Sequence, residues 1–107
     1  MTQANITFIG AGNMASSIIG GLVHKGYPTD RITATDTYQP TLDKAAASFA
    51  VTTTADNAAA AATADVVLLA VKPQVMEQVC TALRPHLAHK PLIISIAAGI
   101  DIPSLDT

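Results

Sequence analysis

Three small residues near the start of the chain, Gly10, Gly12 and Ala15, have types and spacing suited to binding a phosphate group. They follow an apolar run at 6–9 and precede a helical pattern, so the chain turns sharply from a strand into a helix. Gly10 permits the turn, Gly12 lets an anion approach the backbone, and Ala15 lets the helix lie close to the strand. The N–H groups and the dipole at the start of the helix favour a pyrophosphate. An ordinary strand–helix turn without a ligand can have the same spacing. Only the context of the motif, with a strand before it and a helix after it, favours the phosphate-binding turn.

A second candidate is Asp36, which ends the next predicted strand, 24 residues after Gly12. In dinucleotide-binding folds, an acidic residue at about this distance accepts hydrogen bonds from the hydroxyl groups of the adenosine ribose. Its charge would repel a 2′-phosphate, and residues 37–39 offer no cation, so Asp36 favours NADH over NADPH. Arg31 lies at the opposite end of the strand. The alternative role for Asp36 is that of a helix N-cap or a turn residue.

The other reactive side chains form no recognisable catalytic or metal-binding set. Lys72 follows a predicted strand and could lie near the nicotinamide or the phosphates, although an exposed loop lysine is an equally good reading. Cys80 lies on the apolar face of a predicted helix, which indicates a structural thiol. The histidines lack metal-ligand spacing, and the sequence has no Ser-His-Asp order, paired carboxylates or Cys-x-x-Cys motif. The sequence therefore predicts a cofactor site without a metal, where the cofactor carries the hydride chemistry.

Composition restricts the class of protein. The chain of 107 residues suits one domain, and half of its residues are hydrophobic although Trp is absent. The net charge is −2 without clusters of Lys or Arg, so neither nucleic acid nor an anionic membrane is expected as a partner. A single cysteine, a polar start and no apolar run near the roughly 18 residues of a membrane span predict a cytoplasmic domain.

The hydrophobic pattern predicts alternating strands and helices that position these residues. The predicted strands are 6–9, 31–36, 51–53, 65–71 and 92–96, and the predicted helices are 13–25, 40–49, 57–63 and 73–87. Such alternation requires a parallel sheet with right-handed crossovers, that is, a doubly wound α/β sheet of the Rossmann type with strand order 3-2-1-4-5. Ligands bind such sheets beyond the carboxyl ends of strands 1 and 4, where three loops converge: 10–14, 70–73 and 97–99.

The first predicted helix carries two further signals. Met14, Ile18 and Leu22 recur at helical spacing and define its predicted buried face, which can also include Ile19. Gly20 and Gly21 each cost about 1 kcal/mol relative to Ala inside a helix, so a closely packed neighbour is expected beside them.

Three motifs together resemble those of pyrroline-5-carboxylate reductase. In chain order they are Phe8-Ile9-Gly10-Ala11-Gly12-Asn13-Met14-Ala15, Ala70-Val71-Lys72-Pro73-Gln74 and Ser95-Ile96-Ala97-Ala98-Gly99-Ile100. Their order and spacing match, and the resemblance covers essentially the whole chain. The first motif is shared with many relatives of the β-hydroxyacid dehydrogenases, whereas the other two are much more specific.

The resemblance implies an oxidoreductase that reduces 1-pyrroline-5-carboxylate to L-proline with NAD(P)H, the last step of proline biosynthesis. It implies that the pyrophosphate lies against Ile9, Gly10, Ala11, Gly12, Asn13 and Met14. It implies that Asn57 contacts the adenosine part and that the path to the nicotinamide is lined by Ala70, Val71, Lys72, Pro73, Ile96, Ala97 and Ala98. The family's usual cofactor is NADPH, but Asp36 stands where many members carry a small polar residue, which again favours NADH. The resemblance identifies no catalytic residue in this chain.

Members of this family continue beyond the length of this chain, through further strands and a helical domain that builds the dimer and the imino acid pocket. The resemblance thus implies that residues 1–107 are the NAD(P)-binding domain of a homo-oligomeric enzyme, and that they are inactive alone. Two other functions stay open at this point. One is a stand-alone NAD(P)-binding regulatory module without catalysis, and the other is a different member of the β-hydroxyacid dehydrogenase group.

Overall fold

The computed structural model of the chain describes residues 4–71, 73–89 and 91–95. The strands are β1 (Ile6–Ile9), β2 (Ile32–Thr35), β3 (Thr52–Thr54), β4 (Val66–Leu69) and β5 (Leu92–Ser95). The α-helices are α1 (Asn13–His24), α2 (Gln39–Phe49), α3 (Asn57–Ala62) and α4 (Pro73–Leu83). Two short 3-10 turns, at Thr29–Arg31 and Arg84–His86, were not predicted from the sequence. The predicted alternation of strands and helices is confirmed.

The five strands form one parallel sheet in the order β3-β2-β1-β4-β5, as predicted for a doubly wound fold. β1 lies in the middle, and its last residue, Ile9, is opposite Thr35 of β2 and Leu69 of β4. The strand order reverses between β1 and β4, so the crevice that binds ligands in such sheets lies at the ends of these strands.

Two apolar clusters cover the two faces of the sheet. Because successive side chains of a strand point to opposite faces, the neighbours Phe8 and Ile9 belong to different clusters. Phe8 packs with residues of α1, α2 and β2, whereas Ile9 packs with residues of α3, β4 and α4. No helix in the described part of the chain is long and apolar enough to cross a membrane.

The buried face of α1 is confirmed at Ile19 and differs from the prediction at Met14. Ala15 and Ile19 are fully buried, Ile18 and Leu22 are half-buried, and Met14 is 46% exposed. The short side chain of Ala15 lets the helix approach the sheet at that residue. The contact is therefore centred on Ala15 and Ile19, and Met14 is left at the rim.

The predicted neighbour of the two helix glycines is confirmed for one of them. A Cβ atom at Gly20 would lie 3.2 Å from the ring atom Cε1 of Phe49, so α2 packs closely against α1 there. At Gly21 no described atom lies within 4 Å of the corresponding position, and the prediction is wrong for this residue.

Candidate functional site

The turn after β1 requires a glycine at position 10. Gly10 has a φ angle of 105°, and its amide donates a 2.9 Å hydrogen bond to the carbonyl of Thr35. A Cβ atom on Gly10 would lie 2.5 Å from the carbonyl oxygen of Ala70, which is backbone and cannot move aside. The mechanical role predicted for Gly10 is therefore confirmed, while its contact with a cofactor stays a prediction.

The start of α1 faces open space at Gly12. Gly12 is the N-cap residue, with φ −75° and ψ −162°, and no described atom lies within 4 Å of the place where its Cβ would be. As a glycine it offers no side-chain acceptor to the N–H groups of the first turn, and that turn holds no acidic residue. No described side chain caps this positive end of the helix, which favours an anion such as a phosphate group.

The carboxylate of Asp36 links the glycine turn to the segment between β2 and α2. Its Oδ2 accepts a 3.0 Å hydrogen bond from the N–H of Ala11, and its Oδ1 accepts a 2.9 Å bond from the N–H of Tyr38. Asp36 is therefore a turn residue, whereas the N-cap of α2 is Tyr38. Each carboxylate oxygen has a further lone pair, so these bonds leave Asp36 able to accept a hydrogen bond from a ribose hydroxyl.

A cavity of about 400 Å³, called the first cavity here, brings together several of the predicted site residues. It is lined by the following residues of that set: Ile9, Gly10, Asp36, Asn57 and Val71. Asn57 begins α3, whose N-cap Asp56 accepts a 3.0 Å hydrogen bond from the N–H of Ala59. Cavities of this size, mostly apolar with a few polar groups, are typical of sites for small molecules.

The first cavity also has lining residues that the sequence did not identify. They are Thr35, Thr37, Val75, Gln78, Val79 and Ala82. The last four recur at intervals of three and four residues along α4, and this helical spacing was the available signal. The buried Oγ1 of Thr35 has no hydrogen-bond partner within the described ranges. The lining suits a ligand that combines a flat aromatic ring with polar groups.

A second cavity, of about 260 Å³, lies beside Ala11 and Tyr38, the two residues whose N–H groups bind the Asp36 carboxylate. It is lined by Ala11, Gly12, Ser16, Tyr38, Pro40, Thr41 and Lys44. The three residues that follow Asp36 in sequence include no cation. Lys44 reaches the same region from α2, and its spacing of three residues from Thr41 was the signal that could have found it.

The remaining predicted site residues have different outcomes. Ala70 is half-buried and donates its N–H to the carbonyl of Ile9 at 2.9 Å. This hydrogen bond holds the end of β1 beside the end of β4. Asn13 begins α1 and Pro73 begins α4. The residues Lys72, Ile96, Ala97 and Ala98 lie outside the described residues, so the predicted path to the nicotinamide stays a prediction.

Two predictions concerned other reactive side chains. Cys80 is half-buried and packs against the cluster that contains Ile9, as expected of a structural thiol. Arg31 donates a hydrogen bond to the side chain of Asn5, at the end of the sheet opposite the cavities, so it cannot assist a phosphate there. Over 4–71, 73–89 and 91–95, no group of three or more His, Cys, Asp or Glu side chains could hold a metal ion.

Comparison with known proteins agrees with this geometry. Residues 5–99 match the family described as NADP oxidoreductase, coenzyme F420-dependent. The chain belongs to this family. Among proteins related to this NADP oxidoreductase domain, the pyrroline-5-carboxylate reductase of Pseudomonas aeruginosa is 51% identical over 106 residues. That of Vibrio alginolyticus is 47% identical over 106 residues, and both alignments cover 99% of this chain and 39% of the relative.

A solved structure supports the same relationship. The pyrroline-5-carboxylate reductase of Coxiella burnetii is 43% identical and superposes with a TM-score of 0.87, over 98% of this chain and 39% of that chain. The resemblance predicted from the three sequence motifs is confirmed. The chain spans 39% of the length of these relatives.

Proposed function

We propose that this chain is the NAD(P)H-binding domain of a pyrroline-5-carboxylate reductase, which reduces 1-pyrroline-5-carboxylate to L-proline. The observation that carries the proposal is the start of α1 at Gly12, which no described side chain caps. It follows directly on Ala11, whose N–H binds the Asp36 carboxylate, and Asp36 in turn lines the first cavity. The identity of 51% to a relative with this name supports the reaction. In this proposal, the imino acid binds to the part of such enzymes that lies outside the matched region.

The described residues suit the three parts of a dinucleotide. The pyrophosphate would lie at Gly12, where the N–H groups at the start of α1 are free to donate. The adenosine would occupy the first cavity, with Asn57 at one side and α4 at the other. A bound nicotinamide supplies the hydride, and the chain orients it and holds its phosphates.

Binding of the cofactor by the purified chain tests the domain assignment. Isothermal titration calorimetry with NADH and with NADPH should give saturable binding by each dinucleotide, because the groups for the phosphates and the ribose belong to this domain. Folded protein, verified by circular dichroism, that binds neither dinucleotide at millimolar concentration would overturn the assignment.

Growth of a bacterial strain that lacks its pyrroline-5-carboxylate reductase tests the reaction. The complete natural reading frame that contains this chain should, when expressed in that strain, restore growth without proline. A version carrying Gly12→Ala should not, because it blocks the phosphates. Failure of the unmodified gene to restore growth, with dinucleotide binding intact, would favour the regulatory module or another dehydrogenase of the same group.

The charge of Asp36 sets the cofactor preference in this proposal. Hydrogen bonds from the ribose hydroxyls to a carboxylate contribute about 1.5–3 kcal/mol each before offsets, and a 2′-phosphate removes one of those hydroxyls. NADH should therefore bind more tightly than NADPH, and Asp36→Ser should reduce the ratio of the two dissociation constants. Because Asp36 also binds the N–H groups of Ala11 and Tyr38, the variant loses stability as well, and the ratio is the informative quantity. A ratio unchanged in Asp36→Ser would make Asp36 a turn residue only.

A further inference from the structure

The second cavity is linked to the Asp36 carboxylate through two of its lining residues. Two of its lining residues, Ala11 and Tyr38, are the residues whose N–H groups bind the two oxygens of that carboxylate. A third, Gly12, is the N-cap of α1. A ribose bound to Asp36 would thus stand between the two cavities, and a substituent on it could extend into the second.

The lining of the second cavity is rich in hydrogen-bond donors. Ser16, Tyr38 and Thr41 carry hydroxyl groups, and Lys44 is the cation among the described lining residues. The Oγ of Ser16 donates to the carbonyl of Ala11 at 3.4 Å, at the limit of a hydrogen bond, so it is free to turn to a better acceptor. A volume of about 260 Å³ has room for a phosphate group together with several waters.

The position of Lys44 follows from the packing of α2. Leu42 and Ala45 form the buried side of this helix, so Lys44 stands on its exposed side, one turn after Thr41. The neighbouring carboxylate of Asp43 accepts a 2.9 Å hydrogen bond from Nε2 of Gln39. Lys44 can thus direct its ammonium group toward the cavity that it lines.

We propose that Lys44 is a residue that determines the cofactor preference of this domain, because it lines the second cavity, which lies where the 2′-phosphate of an NADPH bound at Asp36 would extend. This inference rests on the proposed function and deepens it. Near pH 7 a phosphate monoester carries a charge of about −1.5 to −2, which the Asp36 carboxylate repels. The ammonium group of Lys44 and the hydroxyl groups of Tyr38 and Thr41 offset that repulsion. Asp36 therefore lowers the affinity for NADPH and Lys44 raises it. Together the two residues set the ratio of the affinities for NADH and NADPH.

The variant Lys44→Gln tests this assignment, with Lys25→Gln as a matched control. Lys25 is exposed and lies at the C-terminal end of α1, away from both cavities. Lys44→Gln should weaken NADPH binding about threefold to tenfold, as expected for loss of an exposed charge pair with a dianion, and leave NADH binding unchanged. Lys44→Arg should retain NADPH binding, and Lys25→Gln should leave the affinity for both dinucleotides unchanged. Thermal unfolding checks that each variant is folded.

Salt and a fragment ligand provide a second readout. Raising the salt concentration should weaken NADPH binding more in the wild-type protein than in Lys44→Gln, because screening acts on a charge that the variant lacks. Adenosine 2′,5′-bisphosphate should lose affinity in Lys44→Gln, whereas adenosine 5′-monophosphate should not. If Lys44→Gln changes the affinity for NADH and NADPH equally, or changes neither, the role of Lys44 is overturned. In that case, binding of NADH by the wild-type protein still upholds the proposed function. A wild-type protein that binds neither dinucleotide overturns both.

Discussion

Replacing Gly10 with alanine is expected to lower the melting temperature by more than about 10 °C, or to prevent folding altogether. The residue has a φ angle of 105°, where an L side chain is strained, and its Cβ would lie 2.5 Å from the carbonyl oxygen of Ala70. Relief of that overlap must move β1 away from the end of β4. Backbone strain and overlap together cost about 3 kcal/mol or more, a large part of the roughly 5–15 kcal/mol that stabilise a small domain.

Gly12→Ala is the matched variant that should separate folding from binding. Gly12 has an extended backbone that alanine adopts without strain, and the place of its Cβ is empty. The melting temperature should therefore fall by only a few degrees, the amount expected because alanine is a poorer N-cap than glycine. Affinity for NADH and NADPH should fall at least about tenfold, because the added methyl group occupies the space of a pyrophosphate and the lost contact exceeds about 1.4 kcal/mol.

A third glycine provides the control for the general effect of a Gly-to-Ala change. Gly21 lies inside α1 with no described atom near its Cβ position, so Gly21→Ala should raise the free energy of unfolding by up to about 1 kcal/mol. Circular dichroism melts and calorimetric titrations measure all three variants. If Gly10→Ala melts like the wild-type protein, the tight contact with Ala70 is not a constraint. If Gly12→Ala binds NADH normally, the phosphates lie elsewhere.

The elements of the fold could be predicted because their sequence signals are local. β4 is a continuous apolar run, as expected of a strand that is covered on both faces. The first turn of α2 contains Pro40, and that of α4 contains Pro73, which is a typical position for proline in a helix. The position of Asp36 beside the glycine turn could be predicted too. Parallel strands end at the same edge of the sheet, so the end of β2 necessarily lies near the end of β1.

Details that depend on the rotation of a helix could not be predicted. The periodicity of α1 is compatible with several neighbouring faces, and the small side chain of Ala15 rather than the large one of Met14 decides which residues meet the sheet. Lys44 was missed for a related reason. It is eight residues from Asp36 in sequence, and it reaches the second cavity only because α2 turns this side toward the start of α1.

The bonds of Asp36 show a different limit. The sequence offered a ribose ligand or a turn residue as alternatives, and the carboxylate in fact binds two backbone N–H groups while retaining capacity to accept more. A residue pattern assigns one role to a position. It does not reveal that a single carboxylate can hold the turn in place and also contact a ligand.

The chain is also expected to self-associate through β5. Leu92, Ile93 and Ile94 are 60%, 41% and 42% exposed, although each is a large apolar residue within a strand. Among the described strands β5 pairs with β4 alone, so its other edge offers N–H and C=O groups to a further strand. An apolar strand with an open edge of this kind favours pairing with a strand of another molecule.

The expected size of the effect comes from the area that association would cover. Apolar surface removed from water contributes about 25 cal/mol per Å², so several hundred Å² across two copies would contribute several kcal/mol. Sedimentation velocity over a wide concentration range should show dimers or larger species of the 107-residue chain. Ile94→Lys should shift them to monomer, because a lysine on a strand edge opposes pairing with another strand. Met14→Lys adds the same charge at an exposed apolar residue of α1 and should leave association unchanged. A wild-type monomer at every concentration, with the β5 amides protected from hydrogen exchange, would mean that the edge is already covered within the chain.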